Sequence, residues 1–199
     1  MPSDVREVCD LPKDATGFWG YALASMTDKF QISRDSQALF ITAVARNRLP
    51  VFQTDAIKTL TCEALNEARN SGGFLIFAYV IMPDHMHLLT NQPNTSAEVL
   101  RYTKGITARR VIDYLKENNY QSSLDKLQHE EWKRKHSYSL WQEEKNVLPI
   151  FSEAMFMQKV NYIHMNPVRA DFVEKATDYR WSSARIWHGH ADENEPASR

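Results

Sequence analysis

From Phe74 to Met82 the chain reads FLIFAYVIM, an apolar run with no polar residue in it. A strand with one wet face would alternate apolar and polar residues, so an unbroken run suits a central strand buried on both faces. Pro83-Asp84 interrupts the run, and His85–Thr90 reads as extended again. Two buried strands in succession require other elements to cover both of their faces.

The flanking sequence supplies those elements. Ala38–Arg46 reads as a strand, with Phe40, Ile41 and Val44 set among small residues. Thr54 or Asp55 caps a helix in which Ile57, Leu60, Ala64, Leu65 and Ala68 recur at helical spacing, and Ser71-Gly72-Gly73 ends it. Thr95 followed by Glu98 forms a capping box for a second helix that runs to about Leu115. Residues 117–137 are polar and charged, a loop or an exposed helical excursion, and Tyr138–Gln142 is a candidate strand. The last clear helix begins at Ser152, with Phe151 and Phe156 spaced as a hydrophobic staple. It is expected to end near Asn166-Pro167, because the residue before a proline avoids the helical region. Strand, helix, two strands, helix, strand, helix is the order of an α+β sandwich with helices packed on an antiparallel sheet.

At 199 residues the chain suits one domain with extensions, large enough to bury a core without disulfides. Two cysteines, Cys9 and Cys62, are too few for a disulfide framework, and Cys62 lies in an apolar helical pattern. No stretch has the length of a membrane-spanning helix, and the N-terminus lacks a basic start with an apolar run. The expectation is a cytoplasmic protein without membrane association. Twenty-four basic residues face 25 acidic ones, so composition does not announce a nucleic-acid binder, and any such surface must be local.

The sharpest chemical feature is His85-Met86-His87. In a strand, residues two apart face the same way, so both imidazoles point together and Met86 points into the core. Convergent neutral imidazoles suit a divalent metal, and two accidental surface histidines are the alternative. Tyr162 is the second feature. On the last helix it shares a face with Met155, Lys159 and Asn166, while Phe156, Val160 and Ile163 line the neighbouring face. A tyrosine so placed is more often a core or rim residue than a nucleophile. A tyrosine hydroxyl has an ordinary pKa near 10 and is a poor nucleophile at neutral pH, but a nearby metal polarises a phosphate and stabilises the charge that develops on it. Asn166, one turn beyond Tyr162, supplies an oxygen that can complete a metal site, and Lys159 can neutralise a phosphate.

These residues resemble a known family. Val80–Leu89 (VIMPDHMHLL) is similar to the His-hydrophobe-His segment of the single-tyrosine HUH transposases, and Asn161–Ala170 (NYIHMNPVRA) resembles their tyrosine helix. Tyr179–Ser183 (YRWSS), Ala45–Phe52 (ARNRLPVF) and Lys104–Ala108 (KGITA) resemble the branch associated with repetitive extragenic palindromes (REP). The similarity spans roughly residues 38–187, which divides the chain into an N-terminal extension (1–36), the transposase domain (37–187) and a polar C-terminal tail (188–199). Glu143–Pro149 departs from the family, which has a more aromatic and basic approach to the tyrosine helix.

The resemblance implies a ferredoxin-like fold with both histidines on a central strand. It implies that Tyr162 attacks a phosphate of single-stranded DNA, giving a 5′-phosphotyrosine and a free 3′-OH. His85 and His87 become metal ligands, Asn166 a third, and the ion Mg²⁺ or Mn²⁺. The partner becomes a DNA hairpin with a flanking single-stranded site, bound by a monomer or homodimer. Arg101, Lys104, Arg109 and Arg110 on the second long helix, with Arg46 and Arg48 after the first strand, are the candidate phosphate contacts; a solvated helix face is the alternative. Tyr179, Trp181 and Trp187 are open to base stacking, with core packing favoured for Trp181. Two other functions fit the same residues: a binder of palindromic repeats without turnover, and a metal-dependent hydrolase of another substrate.

Overall fold

A computed structural model of the chain describes residues 38–93, 95–128, 137–144, 146–190 and 196. The expected N-terminal extension and most of the polar tail lie outside the described residues.

Four strands make one antiparallel sheet in the order β2-β3-β1-β4: β1 (Ala38–Val44), β2 (Ile76–Ile81), β3 (His85–Asn91) and β4 (Asn146–Ile150). Helix α1 (Asp55–Gly72) connects β1 to β2, and α2 (Ser96–Glu117) with the short α3 (Gln121–Leu127) connects β3 to β4. This is the ferredoxin-like arrangement, followed by α4 (Glu153–Arg169), a 3-10 turn at Ala176–Asp178 and the single turn α5 (Ala184–Trp187).

Alternation along the strands separates two layers. Leu39, Ile41 and Ala43 of β1 and Met86 and Leu88 of β3 turn to one face, where they share a core with Ile57 and Leu65 of α1 and Val99 and Val111 of α2. The opposite face carries Phe40, His85 and His87, and α4 lies over it: Phe156 meets Phe77 edge-on at 5.3 Å, and Tyr162 meets His87. Phe151 stays exposed rather than stapling to Phe156.

The helix ends follow their sequence signals. Thr54 Oγ1 accepts from Ile57 N, Thr95 Oγ1 from Glu98 N and Ser152 Oγ from Met155 N. Gly73 closes α1 in the left-handed conformation, at φ 63°. Helix α4 runs past Asn166-Pro167 to Arg169, because the bias against helical backbone before proline is no prohibition. Pro167 removes one N–H, and Ala170 N resumes the ladder on Asn166 O at 3.1 Å.

Three expectations about strands are corrected. The apolar run is not central: β2 is outermost in the sheet. It is apolar throughout because both its faces are buried, Ile76, Tyr79 and Ile81 in the core and Phe77 against Phe156 of α4; its free edge is covered as well. Ile81 N donates to Trp181 O (2.9 Å), Ser183 N to Tyr79 O (3.0 Å) and Trp187 Nε1 to Phe77 O (2.9 Å). Tyr138–Gln142 is no strand and makes only single bridges, Tyr138 to Gln128 and Trp141 to Ala45. The fourth strand is Asn146–Ile150. Its Pro149 argues against a central strand but is tolerated at an edge, where the missing N–H has no partner to lose. The first strand stops at Val44, because Asn47 and Arg48 take left-handed backbone (φ 53° and 52°) and turn the chain away.

Candidate active site

The site is assembled from three elements on one face of the sheet. In the β1–β3 register Thr42 stands opposite His87, and Val44 opposite His85. Directly opposed side chains lie within reach, and Thr42 Oγ1 is 2.9 Å from His87 Nδ1. His85 Nδ1 is 2.6 Å from Asp84 Oδ1, and the other Asp84 oxygen accepts from Arg48 at 3.0 Å. Each imidazole thus has its Nδ1 engaged, and its Nε2 is left for another partner. With Nδ1–H donating, Nε2 carries the lone pair that a metal needs. The two rings stand 4.9 Å apart.

Electrostatics favour the same state. Burial, then the charges of His85 and Lys159, push His87 down to about 3, with Asp84 opposing. A neutral imidazole is the ligand form. Partial burial pushes the Asp84 carboxyl up, but the hydrogen bonds and charges of His85 and Arg48 outweigh it and hold it below the ordinary carboxylate range. The charged carboxylate accepts from His85 and fixes its orientation.

Tyr162 reaches this pair from α4 of the same chain. Its ring is edge-on to His87 at 5.2 Å and to Phe40 at 5.8 Å. Two cations flank it: Lys159 Nζ lies 5.6 Å from the ring centre and the Arg169 guanidinium 5.4 Å. Lys159, Tyr162, Asn166 and Arg169 follow one another at i−3, i, i+4 and i+7, which puts them on one helical stripe.

The structure brings together His85, His87, Tyr162 and Lys159, and joins Arg48 to them through Asp84. Asn166 lies on the stripe and is half-buried, but no described hydrogen bond or ring contact ties its side chain to either imidazole. Among the described residues, no group of three or more His, Cys, Asp or Glu stands placed to hold a metal.

The basic residues of α2 lie elsewhere. Their helix packs on the opposite face of the sheet, and both Arg109 (2.7 Å) and Arg110 (2.6 Å) bind Glu67 of α1. Arg101 and Lys104 line a cleft of about 500 Å³ with Trp141 and Gln142, and Lys104 Nζ donates to Gln142 O. Arg46 is anchored by its backbone N–H to Leu140 O. Tyr179 and Trp187 are buried in the β2 edge cover, and Lys58 lies 4.2 Å over Trp181, so these aromatics serve packing.

Sequence reasoning missed Thr42, Asp84 and Arg169. Asp84 and Arg169 had a signal: one precedes the His pair, the other sits two helical turns beyond Tyr162. Thr42 had none, because only register brings it to His87.

A family model described as "Transposase IS200 like" matches residues 35–166. Among solved structures, a REP-associated tyrosine transposase bound to a REP hairpin is 21% identical with a TM-score of 0.54, over 81% of this chain and 86% of that one. A protein from Deinococcus radiodurans R1 assigned as a transposase is 23% identical with a TM-score of 0.41, over 64% of this chain and 87% of that one. No curated protein matches the chain.

Proposed function

The chain belongs to the IS200-like transposase family, and from that premise we propose a metal-dependent endonuclease and strand transferase for single-stranded DNA at hairpins, acting through a 5′-phosphotyrosine on Tyr162. The observation that carries this reading is the approach of the Tyr162 ring to His87, 5.2 Å between ring centres, with the His85 ring 4.9 Å from His87.

In this reading the Tyr162 hydroxyl oxygen attacks the scissile phosphorus. The new oxygen–phosphorus bond forms as the bond to the 3′ oxygen breaks. The tyrosine proton passes to solvent, and the departing 3′ oxygen takes one up. One phosphodiester replaces another, so a 3′-OH can reverse the step and join strands with no added co-reactant. Lys159 and Arg169 offset the charge on the phosphate oxygens. Thr42 and Asp84 hold the imidazoles, and burial keeps His87 neutral.

The residues fit a divalent ion, with His85 and His87 as ligands and the Asn166 amide oxygen as third. When bound, such an ion polarises the scissile phosphate. Mn²⁺ accepts imidazole readily and Mg²⁺ prefers oxygen, so both suit the set. Arg48 stands on the site face, and Arg101, Lys104, Arg109, Arg110 and Arg46 supply further contacts for the hairpin. Glu67 neutralises part of the charge of Arg109 and Arg110. A hairpin bound by a protein of the same fold supports this partner.

The test is to incubate the protein with hairpin DNA carrying a single-stranded flank and Mn²⁺, and to look for a covalent adduct. An adduct is expected, and it should vanish in Tyr162→Phe while hairpin binding persists. Persistence of the adduct in that variant would overturn the nucleophile. Binding without cleavage would make the chain a binder of palindromic repeats, and cleavage without an adduct would make it a hydrolase.

A further inference from the structure

We propose that the segment Tyr179–Trp187 is a clasp that sets the rotation of the tyrosine helix, with Ser183 and His164 as positioning residues for Tyr162; this rests on Tyr162 as the nucleophile.

The apolar contacts of α4 with the sheet are non-directional, whereas a hydrogen bond from the helix to a fixed partner constrains its rotation about its own axis. The site is sensitive to that rotation. A helix radius of about 2.3 Å plus the length of a tyrosine puts the hydroxyl roughly 9 Å from the axis, so a turn of ~10° moves it by ~1.5 Å. A displacement of about 1 Å at a reacting group can cost about a hundredfold in rate.

His164 supplies the missing direction. Two residues from Tyr162 is about 200° around the helix, so its ring leaves the side opposite the active site. It is almost fully buried, beside Trp187 at 5.8 Å. Its Nε2 lies 2.9 Å from Ser183 Oγ, and among the described residues its Nδ1 has no partner and this is the one hydrogen bond the ring makes. A buried imidazole with an orphaned nitrogen is a poor choice for packing alone.

Ser183 is itself locked to the sheet. Tyr79 N donates to its Oγ at 2.9 Å, and its own N donates to Tyr79 O at 3.0 Å. The Ser183 hydroxyl lies 2.9 Å from His164 Nε2 and 3.3 Å from Tyr79 O, so one oxygen joins the helix to the strand. Tyr179 OH on Ile81 O and Trp187 Nε1 on Phe77 O fasten the segment on either side of Ser183. Strand β2 pairs with β3, which carries both histidines. One chain of directional bonds therefore runs from the imidazole pair through β2 and Ser183 to His164, and along α4 to Tyr162.

Two readouts test this on the full chain. The first is the ¹⁹F spectrum of 3-fluorotyrosine placed at position 162, without DNA or metal. The wild type should show one narrow resonance, with Ser183→Ala and His164→Phe shifted, broadened or split. Ser183→Thr and His164→Gln, whose amide reaches where Nε2 stands, should restore it. The second is single-turnover adduct formation on hairpin DNA with Mn²⁺. Ser183→Ala and His164→Phe should lower the rate 10- to 100-fold at saturating DNA and leave DNA affinity within threefold.

A folded Ser183→Ala with a wild-type resonance would overturn the clasp, as would failure of the two conservative variants to restore the signal. If Ser183→Ala does not fold, the His164→Phe and His164→Gln pair decides by the same criteria. A protein that forms no adduct at all would sink the nucleophile reading, yet its ¹⁹F spectra would still judge the clasp.

Discussion

Replacing Thr42 by valine changes the shape of the side chain little but removes the hydroxyl 2.9 Å from His87 Nδ1. His87 is only 4% exposed, so water cannot easily take the hydroxyl's place. The ring must then either keep Nδ1–H without a partner or shift its proton to Nε2 and lose the ligand lone pair. A buried unpaired group costs about 1–3 kcal/mol of stability. Loss of an outer partner of a metal-bound histidine typically weakens metal binding about 10- to 100-fold, or about 1.4–2.7 kcal/mol. Calorimetric titration with Mn²⁺ in the absence of DNA, with urea unfolding of the metal-free protein, measures both quantities. Thr42→Ser keeps the hydroxyl and should stay within about threefold of wild type. If Thr42→Val binds Mn²⁺ within twofold of wild type, the argument that cross-strand register prepares His87 as a ligand is refuted.

Three further outcomes are expected. Asp84→Asn should weaken Mn²⁺ binding about tenfold or more by loosening His85, whereas Arg48→Ala should change it less than threefold because the Arg48 side chain is 68% exposed; equal losses would contradict the ranking. Arg169→Ala and Lys159→Ala should each slow adduct formation about tenfold at saturating DNA, and an unchanged rate in both would remove the cation pair from the reaction. The third concerns acid. His87 and His164 are both lowered to about 3, His87 by burial and then neighbouring positive charge, His164 by burial and then His188. Unfolded histidines titrate near 6.5, so the unfolded state takes up protons first as pH falls. The stability that depends on these neutral rings is complete above about pH 6.5 and declines toward pH 3, by up to about 1.4 kcal/mol per pH unit for each histidine. Urea melts of the metal-free protein at pH 7, 6 and 5 should show a shallower decline in His164→Gln, and identical slopes would refute the assignment.

The sequence alone determined what local chemistry controls. Helices α2 and α4 are capped by Thr95 and Ser152 as read, and α1 by Thr54, one of the two candidates, because a capping side chain acts within three residues of itself. His85 and His87 share a face because strand geometry repeats every second residue. Helical spacing likewise put Lys159, Tyr162 and Asn166 on one stripe. What depended on distant partners was not legible. The apolar run looked central, although β2 is outermost, because its side chains record the burial of its two faces and not which strands pair at its edges. Pro149 hid β4, since only sheet order shows that its strand is an edge. That Arg109 and Arg110 share Glu67 was not legible either, because it needs α1 packed against α2. Thr42 on His87 joins residues far apart in sequence through strand register, and Ser183 meets His164 only because the segment after α4 packs along β2. Such bonds follow from which strands pair and in what register, and that is decided by burial of the whole core rather than by any local pattern.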